Sequence, residues 1–111
     1  MSRVCRKQLL VSDLDRTLLN DQSRISPENL EAIAAYVSAG GAFTVASGRP
    51  VRSVLMYQEL LPYLTIPFIA YNGAGIYDAK GGRVLYQEAV PRGVYAAVQE
   101  QLQRYPEVSL L

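Results

Sequence analysis

The sequence contains no histidine and no tryptophan, and only one cysteine and two methionines in 111 residues. Without histidine, His-based catalytic triads and His-ligated metal centres are excluded. Acid–base work near neutral pH must then fall to carboxylates, Lys, Tyr or Cys5. A single cysteine excludes an internal disulfide and fits a reducing, cytoplasmic setting. Long apolar runs are also missing, so no segment suits a bilayer span, and the N-terminus does not read as a secretory signal. Charge of one sign is lacking as well: eleven basic and ten acidic residues leave a net charge of +1. Such a balance makes neither nucleic acid nor a membrane surface an expected partner. The basic cluster Arg3, Arg6 and Lys7 is short and reads as a solvated face. The tyrosines, including Tyr71, Tyr77, Tyr86 and Tyr95, fit half-buried faces, since no basic groove accompanies them as a base-stacking platform would require. There is no internal repeat and no low-complexity segment.

Half of the residues are hydrophobic and 19% are charged, which is ordinary for a globular domain of modest size. The chain is organised around Leu9 to Leu19, LLVSDLDRTLL. Leu9-Leu10-Val11 has the makeup of a buried strand. It runs into Asp13, Asp15 and Thr17. Two carboxylates two residues apart at a strand end repel each other and resist desolvation, so they call for a cation or a proton. That points to metal binding or to nucleophilic and acid–base chemistry. The alternative is an Asp-rich turn with Thr17 capping the next element.

Further along, Ser26-Pro27-Glu28 has the chemistry of a helix start. Leu30, Ile33, Ala34 and Val37 recur at helical spacing, and Gly40-Gly41 ends the helix. Ala42 to Ala46 is a second apolar run. It leads into Ser47-Gly48-Arg49-Pro50 and a helix whose stripe is Val51, Val54, Leu55 and Leu61, stopped by Pro62. Free N–H groups at that turn, the dipole and the Ser47 hydroxyl together suit an anion. Taken alone, Ser47 is more often just a helix cap. Pro67 to Tyr71 reads as a third strand, followed by Asn72-Gly73, which in isolation is a plain turn. Alternation of strands and helices predicts a Rossmann-like α/β fold with a parallel sheet. Asp13, Asp15, Ser47 and Asn72 then gather at the C-terminal strand edge, where open α/β sheets bind ligands. A β-hairpin follows, with Ile76-Tyr77 and Val84-Leu85-Tyr86 flanking Asp78 to Gly82. After Pro91-Arg92-Gly93 comes a helical stripe of Val94, Val98, Leu102 and Tyr105, and Val108 to Leu111 reads as the opening of another strand.

These segments resemble the haloacid dehalogenase (HAD) superfamily of phosphohydrolases, in its Cof-type (IIB) branch. SDLDRTLL is similar to the first family motif, Asp-x-Asp-x-Thr. VASGR is similar to the second, and YNGAGIYD to the segment preceding the cap in this branch. The resemblance implies a partial HAD core with hairpin over residues 1–90 and the beginning of an α/β cap over 91–111. It implies that Asp13 is the nucleophile forming an aspartyl-phosphate, and that Asp15 protonates the leaving oxygen and later activates water. Thr17 would brace the loop; Ser47, the Gly48 N–H and Asn72 would belong to the substrate-binding rim. Mg²⁺ would sit on the Asp13 carboxylate and the Asp15 backbone carbonyl, with a small phosphate ester such as a sugar phosphate as substrate. Two departures stand out. Arg16 occupies a position that is often Gly. The Lys motif and the C-terminal acidic motif lie beyond Leu111, and neither Lys80 nor Glu107 is placed to replace them. The chain is therefore expected to be an incomplete phosphatase, and its first strand is expected to form a sheet edge open to self-association. The alternatives are a non-catalytic, truncated relative that self-associates or binds phosphate weakly, and a receiver-like phosphate-binding domain, which the Asp-x-Asp-x-Thr spacing and the hairpin disfavour.

Overall fold

The computed structural model describes residues 8–108. The chain opens with β1 (Leu9–Ser12), followed by a wide turn over Leu14–Leu18 and then α1 (Pro27–Ser38). Helix α1 starts where its sequence dictates: the Ser26 hydroxyl accepts the Asn29 N–H at 3.1 Å, and Pro27 is the first helical residue. It ends at Gly40, whose φ of 96° is the left-handed conformation that glycine takes without penalty. Strand β2 (Ala42–Val45) then pairs in parallel with β1, from Leu9 with Ala42 to Ser12 with Val45.

Helix α2 is shorter than the apolar stripe suggests. It spans only Val51–Leu55, and a single tight turn over Leu61–Tyr63 follows separately. The buried residues of this region are Val54, Leu60 and Leu64, not Leu61. Two turns at Tyr57–Leu60 and Leu60–Tyr63, each closed by a backbone hydrogen bond of 2.9 Å, shift the register by one residue.

Strand β3 (Phe68–Ala70) lies beside β2, but the two do not form a long parallel ladder. They meet at one parallel bridge, Ala46 with Ile69, where the Ser47 N–H donates to the Ile69 carbonyl at 2.9 Å. The segment leading into β3 is held by a backbone bond, from the Thr65 N–H to the Phe43 carbonyl at 2.9 Å, and by side chains. The Thr44 hydroxyl donates to the Pro67 carbonyl at 3.0 Å, and the Phe43 N–H donates to the Thr65 hydroxyl at 2.9 Å. Strand β3 continues into an antiparallel meander with β4 (Gly75–Asp78) and β5 (Arg83–Gln87), as the hairpin pattern predicts. Helix α3 (Val94–Arg104) follows. The α/β fold class expected from the sequence is therefore present, with the parallel part confined to β1 and β2 and a single bridge to β3.

The core packs Leu14, Leu18 and Leu19 from the first turn against Ile33, Phe43, Val45, Val54, Leu60, Leu64, Phe68 and Ala70. Strand β1 departs from its expected burial. Leu9, Leu10 and Val11 are each between 45 and 56% exposed. Only β2 pairs with β1 among the described residues, so its apolar side chains are covered from one side only. Tyr71, Tyr86 and Tyr95 are likewise exposed rather than half-buried, and of these four only Tyr77 packs against the core, with its ring 5.5 Å from that of Phe68. The strand expected at Val108 to Leu111 falls largely outside the described residues, as do Arg3, Cys5, Arg6 and Lys7.

An edge strand with free backbone groups and no charge or proline over Leu9–Ser12 is a template for another strand. We propose that a second copy of the chain occupies it, β1 against β1 across a two-fold axis, which is self-complementary. Sedimentation velocity is expected to show concentration-dependent dimers or larger species, reduced by Leu9→Lys, which places a charge on the most exposed residue of the edge. A wild-type chain that sediments as a monomer and unfolds cooperatively in urea would sink this proposal.

Candidate functional site

Strand pairing builds the site. Asp13 follows β1 directly, Ser47 follows β2 by one residue beyond Ala46, and Asn72 follows β3 by one residue beyond Tyr71. The β1–β2 register aligns the first two ends, and the Ala46–Ile69 bridge aligns the third. The three loops enclose a hollow of about 270 Å³ lined by Asp13, Ala46, Ser47, Gly48, Ile69, Asn72 and Gly73. Four of the residues expected from the sequence, Asp13, Ser47, Gly48 and Asn72, thus share one cavity. Asp15 lines a neighbouring hollow of about 500 Å³ with Arg16, Leu19, Asn20, Asp21 and Ser23. Thr17 is exposed and lines neither.

The first turn is anchored by its apolar residues. Leu14 and Leu18 are buried and pull the loop into the core, while Asp13, Asp15 and Arg16 between and beside them stay exposed. One Asp13 carboxylate oxygen accepts the Leu14 N–H at 2.8 Å, which fixes the side chain at the mouth of the hollow. Its other oxygen takes part in no hydrogen bond among the described residues. The backbone then leaves helical geometry: Asp15 is extended and Arg16 is left-handed, at φ 61°. This explains why glycine would suit that position, and it means that Arg16 is held in a strained conformation.

Ser47 is almost fully buried. Its hydroxyl accepts the Arg49 N–H at 3.0 Å, so the capping role is present, within the turn rather than at the helix. A hydroxyl that accepts one bond still carries its own hydrogen to donate. Helix α2, at five residues and starting after Pro50, has too little length for a sizeable dipole. The Ser47 hydroxyl and the local N–H groups, rather than a helix dipole, are what this turn could offer an anion, a correction to the role expected of the helix end. Gly48 is tightly placed: a Cβ there would lie 2.8 Å from the Asn72 side-chain oxygen. Asn72 in turn donates its N–H to the Ser47 carbonyl at 3.0 Å and, like Tyr71 before it, adopts a left-handed φ.

Arg49 follows Gly48 of the first hollow in sequence and binds Asp15 of the second. Its Nε and Nη2 groups donate to the two oxygens of Asp15 at 2.8 and 2.7 Å. Its Nη1 donates to the Ser53 hydroxyl at 2.9 Å, and its guanidinium lies 5.3 Å from the centre of the Tyr57 ring. The hydrogen bonds from Arg49, together with its charge and that of Arg16, hold the Asp15 carboxyl below the usual carboxylate range. Arg49 was not among the site residues expected from the sequence. An arginine directly after a strand-end Ser-Gly turn, in a chain whose other strand-end loop carries two aspartates, is the signal that could have found it.

A family model of haloacid dehalogenase-like hydrolases matches residues 10–110. The chain belongs to this family. Over 90 residues it is 41% identical to a 5-amino-6-(5-phospho-D-ribitylamino)uracil phosphatase, YwtE, of Bacillus subtilis, covering 81% of the chain and 30% of that relative. A second phosphatase of the same description and organism, YitU, is 36% identical over 89 residues, covering 78% of the chain and 32% of its own length. A haloacid dehalogenase-like hydrolase from Bacteroides thetaiotaomicron superposes with a TM-score of 0.79 at 28% identity, covering 89% of the chain and 38% of that structure. The chain thus spans about a third of the length of the curated relatives it matches. Among the described residues no three Asp, Glu or Cys side chains cluster as a metal site. The oxygen donors of this HAD loop still suit a hard cation, since Mg²⁺ is commonly held by one or two carboxylates, waters and a substrate phosphate. Asp13 has an oxygen to give. The Asp15 carboxylate is committed to Arg49, which leaves its backbone carbonyl as that residue's donor.

Two outcomes follow from this loop. Arg16→Gly removes left-handed strain of roughly 1–2 kcal/mol and adds unfolded-chain entropy of roughly 0.5–1 kcal/mol. Urea unfolding is expected to show a net gain of about 0.5–1 kcal/mol, whereas Arg16→Ala, which keeps the strain, gives none. The Asp15–Arg49 pair makes stability depend on pH. Because the folded carboxyl is depressed, its contribution is fully present above the ordinary carboxyl value of roughly 4 and fades as pH falls through the lower folded value. Wild type and Asp15→Asn are expected to differ by a small, salt-screened amount at neutral pH and to converge in acid, as read by urea midpoints across pH.

Proposed function

We propose that this site is the nucleophile-bearing part of a Mg²⁺-dependent HAD phosphatase of the Cof type, acting on small phosphate esters such as sugar phosphates. The observation that carries the reading is the single hollow shared by Asp13, Ser47, Gly48 and Asn72. An exposed carboxylate oxygen at the end of β1 faces the cavity into which a buried hydroxyl at the end of β2 can donate. That is the arrangement needed to hold a phosphoryl group against an attacking carboxylate.

In this reading a non-bridging pair of phosphoryl oxygens is bound by the Ser47 hydroxyl and the Gly48 N–H, with Asn72 closing the rim. An Asp13 oxygen attacks phosphorus, and an aspartyl-phosphate forms as the bond to the leaving oxygen breaks. Asp15 supplies the proton that the leaving oxygen takes up. In the second half, Asp15 accepts a proton from water as the water oxygen attacks phosphorus and releases Asp13. Mg²⁺, when bound by the Asp13 carboxylate and the Asp15 carbonyl, offsets the repulsion between anionic nucleophile and anionic phosphate. The phosphorylated polyol named for the Bacillus subtilis relatives supports a polyhydroxylated leaving group. The low cysteine content is consistent with a cytoplasmic enzyme.

Hydrolysis of an aryl phosphate with Mg²⁺ is expected from this chain. Asp13→Asn is expected to abolish it, together with any acid-stable, hydroxylamine-sensitive phosphoprotein. Equal rates for the two proteins would refute the assignment of Asp13.

A further inference from the structure

Asp15 is the residue on which proton delivery depends in the reading above, yet little of its own environment holds it. It is exposed, sits in extended backbone and is followed by a strained left-handed residue. Arg49 is the opposite. Its N–H is bound to the Ser47 hydroxyl, its carbonyl accepts the Tyr71 N–H at 3.0 Å, and its guanidinium is fixed by Ser53 and the Tyr57 ring. The anchors come from the loop after β2, from α2 and from the turn after β3. The loop after β2 and the turn after β3 also wall the hollow lined by Ser47, Gly48 and Asn72.

We propose that Arg49 is a positioning residue: its two-pronged contact registers the Asp15 carboxylate against the phosphate hollow. The inference rests on the phosphatase reading and adds to it the group that aims the proton donor. Three features carry it. Both Asp15 oxygens are engaged, at 2.8 and 2.7 Å, so the plane of the carboxylate is set and not only its place. Each oxygen keeps a second lone pair, so the closed fork leaves each open to one further hydrogen bond. And stability does not account for the pair. Asp15 is half exposed, and ion pairs of that kind contribute little to folding. A lysine would supply the charge without the fork.

The experiment compares the whole chain with Arg49→Lys and Arg49→Ala, using aryl phosphate turnover with Mg²⁺, urea midpoints and the Arg Nε–H resonances in ¹⁵N NMR. Arg49→Lys is expected to leave the urea midpoint and KM close to wild type. Its kcat is expected to fall about 10–100-fold, the scale on which an ångström of misplacement acts. Added guanidinium ion is expected to restore part of the Arg49→Ala loss, which a folding defect would not allow. Unchanged kcat in Arg49→Lys overturns the proposal. If wild type shows no Asp13-dependent turnover, the phosphatase reading fails for this chain, and the NMR arm decides on Arg49 separately. A slowly exchanging Arg49 Nε–H that is lost in Asp15→Asn supports the fork, and its absence in wild type overturns it.

Discussion

Four backbone pairings, from Leu9 with Ala42 to Ser12 with Val45, determine where the chemistry of this chain can occur. Residues in a strand alternate between faces, so a slip of one position would carry Asp13 away from Ser47 and reverse every side chain of β1. The register is held by what lies on either side of it. Leu14 and Leu18 sink into the core just past the strand, and Phe43 and Val45 do so from β2. Apolar burial thus fixes a polar site: the leucines of LLVSDLDRTLL set the loop, and the aspartates between them are presented to solvent as a consequence.

The second strand end is fixed by hydrogen bonds as well as by burial. Thr44 and Thr65 tie β2 to the segment before β3, and only then does the Ala46–Ile69 bridge bring Asn72 to Ser47. Here two threonines replace the extended ladder that a regular parallel sheet would provide. The close approach at Gly48, where a Cβ would meet the Asn72 amide, shows how little space separates the two loops. The hollow is what remains when loops from three strands are drawn together by such local bonds.

Much of this was legible in the sequence, for physical reasons that differ between elements. The cap at Ser26, the stop at Gly40 and the hairpin around Asp78 to Gly82 are local, and local chemistry decides them. The strand-end positions of Asp13, Ser47 and Asn72 follow from apolar run lengths. What could not be read was set by neighbours. The exposure of β1 depends on what lies beside it, and the replacement of Leu61 by Leu60 in the core depends on two tight turns that periodicity does not encode. Arg49 was passed over because its partner, Asp15, is 34 residues away in sequence. An arginine after Ser-Gly reads as part of a turn until the fold places a carboxylate in front of it.

Charge balance links the ion pair to the chemistry. Asp13 and Asp15 stand two residues apart, and a phosphate ester would bring further negative charge to the same rim. Arg49 pairs with one of the two carboxylates, and the other, Asp13 at the mouth of the smaller hollow, has no salt-bridge partner among the described residues. That asymmetry separates the roles. A carboxylate bound in a guanidinium fork is a poor ligand and a poor nucleophile, because its lone pairs are directed and its charge is shared. A carboxylate with one oxygen free is the better nucleophile and the better seat for a hard cation. A single arginine from the neighbouring strand end thereby gives two chemically identical side chains different surroundings.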